Sequence, residues 1–268
     1  MNFTLNFKSI QDLVLYCRSN KKAYTSARRG ITKFNTLDTW EDTLYAIRNG
    51  WPEGLKHVVS AIEDISIQLG SATFKTELIP SIQGLFFDIG LVCSGEPEHW
   101  LSEQESYNTV DSNKIINIGI NATVPAGTQT STMIERGAAI LVLANILELK
   151  QYSVTITQYC SIVNNQHTFN GSLILKQAGQ ALDIDSLTFW LVCPDALRRC
   201  WLRVMESAPY SEQIGADGKG YGKPVIDYGN QQSDIFLEGI NRYKEWNRSS
   251  TINWINSVIL DTTIVGYG

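Results

Sequence analysis

Three consecutive runs decide how the rest of the chain must be arranged: IINIGIN at Ile115–Asn121, MIERGAAILVLANILEL at Met133–Leu149 and YSVTITQYC at Tyr152–Cys160. The first is short, apolar and rich in isoleucine, and it reads as a strand. In the second, Ala138, Leu141, Val142, Asn145 and Leu149 follow a helical stripe. Ile140, Leu143, Ala144 and Leu147 make much of the opposite side apolar too. A helix that is apolar nearly all round is buried or covered on both sides. The third run alternates with period two, the signature of a strand. A strand, a crossover helix and a second strand close right-handed as a parallel pair. Thr132 and Glu135 have capping-box spacing and predict the helix start. Gly137-Ala138-Ala139 are small enough to let that helix approach a sheet closely.

Working outward, Phe3–Phe7 reads as a strand and Ser9–Cys17 as a helix. Thr39 and Asp42 cap a helix over 39–49 whose stripe is Trp40, Leu44 and Ile47. Gly50 supplies its stop and Pro52 blocks continuation. A second helix follows to about Leu69, which makes 36–70 a helical hairpin. Phe169–Leu175 reads as a strand. The apolar run Thr188–Cys193 is expected to be an inner strand. Pro194 and Asp195 open a helix over 196–207, and its Arg198, Arg199 and Arg203 are expected on a solvated face. Ser211–Tyr228 is glycine-rich and expected to be a mobile loop, and Ser233–Trp246 a last helix. The expected fold is a three-layer α/β domain with a mixed, mainly parallel sheet containing 115–121, 153–160 and 188–193. It is one elaborated domain over 1–268: a basic N-terminal arm (1–35), the hairpin (36–70), an α/β core (80–207) and a glycine-rich and helical C-terminal part (208–268). The five-strand barrel pattern of an OB-fold is missing.

With 43% hydrophobic and 18% charged residues, the 268-residue chain has globular composition. No apolar run reaches the length of a membrane span, and Met1–Phe7 lacks the pattern of a signal peptide. Cys17, Cys93, Cys160, Cys193 and Cys200 are odd in number and form no C-x-x-C pair, which points to reduced thiols in a cytoplasmic protein. The net charge of −5 hides an asymmetry. Residues 1–34 carry seven basic side chains against Asp12 alone, a net of +6, which leaves −11 on the remainder. A basic arm on an acidic body is a sign of binding to a polyanion.

Within that arm, Lys21, Lys22, Arg28, Arg29 and Lys33 suit a phosphate backbone and Tyr24 suits stacking on a base. The competing reading is a solvated connector that neutralises the protein's own body. Lys219, Tyr221 and Lys223 in the glycine-rich loop form a candidate second contact. The loop after the first core strand, 121–131, has a single glycine, Gly127. It carries neither a P-loop nor a dinucleotide fingerprint, so no cofactor is expected. Glu96, Glu98 and His99 could do acid–base work or ligate a metal, but no partner for such chemistry stands at a fixed spacing, and a structural turn is the simpler reading.

The strand–loop–helix layout resembles a von Willebrand factor A-type unit, whose first strand runs into a D-x-S-x-S metal loop. Asn121-Ala122-Thr123 stand there instead, so no metal is expected at Asn121, Thr123 and Ser131. Three further stretches carry a different resemblance: WEDTLYAIRNGWPEG at 40–54, DIGLVCSGEPEHWL at 88–101 and ERGAAILVLANILELKQYSVTIT at 135–157. They resemble a family of tailed-phage proteins, and within it the single-stranded-DNA-binding cofactors of phage RNA polymerases (Drc-like proteins). That resemblance spans roughly residues 36–200. It implies cooperative binding of single-stranded DNA, a homo-oligomer on DNA, a phage RNA polymerase as partner and the host cytoplasm as location. Three classes of function stay open: a DNA-binding cofactor without catalysis, a metal-free interaction scaffold, and a hydrolase built on Glu96, Glu98 and His99.

Overall fold

In the computed structural model, the Ile115–Asn121 run (β5) and Ser153–Asn164 (β6) are parallel neighbours, with Ile116 opposite Val154 and Ile120 opposite Gln158. The helix between them, Thr130–Leu149 (α4), crosses over as the spacing requires. The structure describes residues 2–19, 36–69, 77–81, 86–87, 100–104, 114–125, 127–216, 221–240 and 246–260. The chain divides into two compact units, Met1–Glu63 with Asn113–Gly268, and Asp64–Ser112. The smaller unit contains β2 (Glu77–Ser81), β3 (Phe86–Phe87) and β4 (Trp100–Gln104), antiparallel in the order β2-β4-β3.

In the larger unit, β1 is Asn2–Phe7, β7 is His167–Lys176, β8 is Lys223–Pro224 and β9 is Ile235–Leu237. The sheet order is β1-β7-β6-β5-β9, with β8 on the far end of β6. β6 and β7 form an antiparallel hairpin, while β1–β7, β5–β6 and β5–β9 are parallel. The helices in chain order are α1 (Ile10–Ser19), α2 (Trp40–Asn49), α3 (Pro52–Leu69), α4, α5 (Ile184–Val192), α6 (Leu202–Ser207) and α7 (Arg248–Leu260). A π-helical turn, Ala196–Trp201, runs directly into α6.

The result is a mixed α/β fold in three layers. Ile116, Ile118, Ile120, Val154, Ile156 and Gln158 are all buried. They share the face of the sheet turned to α4 and α5, because alternate residues of a strand point the same way. α2 covers α5, and α7 covers α4. α4 is therefore buried on almost every side, as its all-round apolar sequence demanded. The second-layer contact is tight: a Cβ on Gly137 would sit 2.0 Å from the Leu191 carbonyl oxygen of α5. The small residues admit a helix there rather than the sheet. The hairpin α2–α3 forms where its sequence placed it. Thr39 and Asp42 make a complete capping box, and Gly50 turns with φ +79° against the backbone of Asp185.

Several elements differ from expectation. Residues 188–193 are not a strand. They belong to α5, whose Asp183 cap accepts from the Ser186 amide at 3.1 Å. A short apolar run buried on all sides has no period that separates helix from strand. The third parallel strand beside β5 and β6 is β9 instead. It lies inside 233–246, expected as a helix, where ladder bonds to β5 decide the backbone. The last helix is α7. α4 begins at Thr130 with Gln129 as its uncapped first residue, so Thr132 and Glu135 do not form the box. Thr132 is buried and Glu135 pairs with Arg248 at 2.9 Å. The thiols of Cys17, Cys160 and Cys193 are free and buried, and burial pushes each up to about 12. No described helix is long and apolar enough to cross a membrane.

Gly137→Ala tests the contact between α4 and α5. Alanine favours a helix over glycine by about 1 kcal/mol. Here its methyl must displace a backbone carbonyl, and overpacking costs about 1–3 kcal/mol. The expected outcome is a lower urea midpoint with an unchanged m-value, opposite in sign to the propensity gain.

Candidate functional site

The arginines expected on a solvated face are interior. Arg198, Arg199 and Arg203 are 9%, 1% and 8% exposed. Arg199 pairs with Asp195 at 3.4 Å and donates to the carbonyls of Leu37 and Asp38 at 2.7 and 2.9 Å. Asp195 Oδ2 in turn accepts from the amides of Thr36 and Leu37 and from the Thr36 hydroxyl, all within 2.8 Å. Arg203 donates through Nε to the Cys17 carbonyl at 3.0 Å, and its guanidinium lies 4.5 Å from the centre of the Trp40 ring. Arg198 donates to the Thr128 carbonyl at 2.9 Å. A buried charge is tolerated only when paired and hydrogen-bonded, and these three satisfy loose backbone from distant parts of the chain.

This geometry bears directly on the basic arm. Lys21, Lys22, Tyr24, Arg28, Arg29 and Lys33 fall at 20–35, outside the described residues. The chain on either side of that segment is held by one helical stretch: Arg203 holds Cys17, and Asp195 with Arg199 holds 36–38. Arg199 and Arg203 therefore anchor the segment's flanks, and like Arg198 they are turned inward rather than toward an external polyanion.

Of the second predicted contact, Lys219 lies outside the described residues, and Lys223 is exposed on β8. Tyr221 is half-buried against the core, and its hydroxyl donates to Glu206 Oε1. The loop around them is bonded to the sheet where it is described. The Val225 amide donates to the Ser161 carbonyl at 3.0 Å, Asn121 Nδ2 donates to the Val225 carbonyl at 2.8 Å, and Tyr228 packs edge-on against Tyr159. Glu96, Glu98 and His99 lie outside the described residues.

The carboxyl ends of the central strands hold a group that sequence reasoning passed over. Open α/β sheets bind ligands beyond these ends, at the point where the strand order reverses. Here β5 leads through α4 to β6 on one side and has β9 on the other. Asn121 and Thr123 serve the fold: Asn121 Oδ1 accepts from the Thr123 amide at 2.9 Å, and Thr123 Oγ1 accepts from the Ser161 amide at 2.9 Å. Arg136 of α4 is 3% exposed, and burial lowers its pKa to about 10. Its Nη2 donates to the carbonyls of Asn121 and Glu238, tying the end of β5 to the end of β9. The available signal was the lone arginine inside a helix apolar on all sides. Beside it is a cavity of about 270 Å³ whose walls include Phe236, Ile240, Trp246 and Trp254.

These features define a mixed α/β protein built on one parallel strand–helix–strand unit, with a buried arginine at the carboxyl end of its sheet. The chain belongs to the family described as Domain of unknown function (DUF7192), whose model matches residues 2–259. No curated protein and no solved structure matches it at a significant level.

Arg199→Met separates an interior anchor from a surface cation. Breaking a buried pair from one side costs about 3–5 kcal/mol because the other charge is left uncompensated. The expected outcome is a loss of stability of that size in chemical denaturation. A loss within about 0.5 kcal/mol, as for surface substitutions, would return Arg199 to the solvent.

Proposed function

We propose that the protein is a non-sequence-specific single-stranded-DNA-binding protein that acts as a cofactor of phage RNA polymerase transcription in the host cytoplasm. It works by binding and not by catalysis. The observation that carries this reading is the sorting of positive charge. Residues 20–35 hold Lys21, Lys22, Arg28, Arg29 and Lys33 with no carboxylate among them. Elsewhere, Arg136, Lys176, Arg198, Arg199 and Arg203 are buried, and each is bonded to backbone of its own protein. A chain with net charge −5 meets a polyanion only through a concentrated cationic segment, and this segment is it. The resemblance of 40–54, 88–101 and 135–157 to phage single-stranded-DNA-binding polymerase cofactors supports the same reading. Tyr24 supplies the stacking surface, with Lys219 and Lys223 as an auxiliary contact. Tyr221 is the weaker candidate, because its hydroxyl is engaged by Glu206.

Titration of a labelled oligonucleotide over a range of salt concentrations tests this. Neutralising about five phosphates gives a log–log salt slope of about −3.5 on single strands. Replacing Arg28 and Arg29 together with alanine should flatten the slope by about 1.4. Tyr24→Ala should weaken binding by about 1–3 kcal/mol at nearly unchanged slope, since stacking releases no counterions. Parent-like binding by both variants removes the arm as the site. No salt-sensitive binding by the parent would favour the metal-free interaction scaffold.

A further inference from the structure

The cavity beside Arg136 has the makings of a ligand site that is independent of the arm. Its floor is a cation. The Arg136 guanidinium is enclosed, and its described partners are two backbone carbonyls, one at each strand end. Among the described residues no carboxylate pairs with it. Removing a guanidinium from water costs several kcal/mol, and carbonyl dipoles offset only part of that cost. With both Nη2 hydrogens engaged by those carbonyls, an anion would meet the guanidinium through its other N–H groups and supply the negative charge that the carbonyls lack.

The aromatic part of the wall is fixed. The Trp246 indole donates to Thr251 Oγ1 at 2.8 Å, and that hydroxyl donates to the Glu135 carbonyl at 3.1 Å. Trp254 meets Trp246 edge-on with ring centres 6.4 Å apart. Arg248 at the start of α7 holds Glu135 of α4 at 2.9 Å, so the helix carrying Trp254 is tied to the helix carrying Arg136. Ile240 completes the apolar lining, while the Phe236 ring lies on the other face of the sheet against Tyr159. Glu238 lines the cavity with an exposed side chain, so its carboxylate stands on the water side. Among the described lining residues, one interior cation and one carboxylate toward the solvent suit a single negative charge.

We propose that this cavity, at the point where the strand order reverses, binds a small organic monoanion: a carboxylate carrying an aromatic or aliphatic body. The carboxylate meets Arg136, and the body lies among Ile240, Trp246 and Trp254. About 270 Å³ is slightly below the range for drug-sized ligands, which sets the scale to a single ring with a short acidic side chain.

The test is calorimetric titration of the full chain with phenylacetate, with inorganic phosphate and benzyl alcohol run beside it. Indole N–H signals of the tryptophans are followed by NMR. Phenylacetate is expected to bind saturably at one site and to move the signals of Trp246 and Trp254. Phosphate and benzyl alcohol are each expected to bind at least about tenfold more weakly, the loss that goes with a charged hydrogen bond or an apolar body. Trp254→Ala leaves the guanidinium in place and should weaken phenylacetate several-fold with the fold intact by circular dichroism. Arg136→Met should abolish binding, and where that variant does not fold, the parent and Trp254→Ala results decide alone. Absence of phenylacetate binding by the parent overturns the proposal. Equal binding of phosphate would make the site a general anion site, and equal binding of benzyl alcohol an apolar one; either result overturns the assigned class. Oligonucleotide binding by Trp254→Ala should match the parent, which keeps this site separable from the arm.

Discussion

Helix α4 has almost no face left for water, and the rest of the larger unit is arranged to satisfy that condition. Fourteen of its residues are buried, from Thr132 to Leu147. One side lies on the isoleucines and valine of β5 and β6. The other meets α5 across Gly137 and α7 across Glu135, Thr251 and Arg248. Burial of apolar side chains is the dominant favourable term in folding, and an all-round apolar helix gains it only when both sides are covered. The three layers follow from that requirement.

The same enclosure creates a problem with backbone ends. Strand ends, helix ends and connectors near the core bring carbonyls and amides out of water, and each such group must find a partner. In this protein long cationic side chains meet that need. Arg136 serves the ends of β5 and β9, Arg198 the turn before α4, Arg199 the entry to α2, Arg203 the end of α1, and Lys176 the Val154 carbonyl while pairing with Glu148 at 2.5 Å. Asp195 does the complementary work for amides at 36 and 37. Charge in the interior thus acts as backbone solvation.

What could be read in advance divides along physical lines. Most local signals held: the Thr39–Asp42 box, the stop at Gly50 and the parallel pair β5–β6 stand where they were read, although the Thr132–Glu135 box does not form. Signals that depend on distant partners did not. The 188–193 run shows why, because a fully buried segment loses the polar phase from which its period would be read. The real evidence for a helix was the Asp183–Ser186 cap a few residues upstream. The 235–237 strand shows the reverse case, in which three residues take their form from pairing with β5. The arginines were placed outside because an unpaired charge belongs in water. Their partners, Cys17, Leu37 and Thr128, stand between 70 and 186 positions away.

A consequence follows for the chain around the arm. The segment 20–35 departs after a helix end that Arg203 holds and returns at a turn that Asp195 and Arg199 hold. Asp195 precedes the π-helical turn, Arg199 lies in it and Arg203 is on α6, all within nine consecutive residues. A π-helical turn is rare and found often at functional positions. Widening the turn here lets Asp195, Arg199 and Arg203 address two separate entries of chain from one short stretch. The cost of closing a loop rises only slowly with its length, so a sixteen-residue basic segment is compatible with a stable body once its two ends are fixed. Stability and the proposed polyanion contact therefore draw on different arginines: the first set is defined by carbonyl partners inside the fold, and the second by the lack of any carboxylate in its own stretch of sequence.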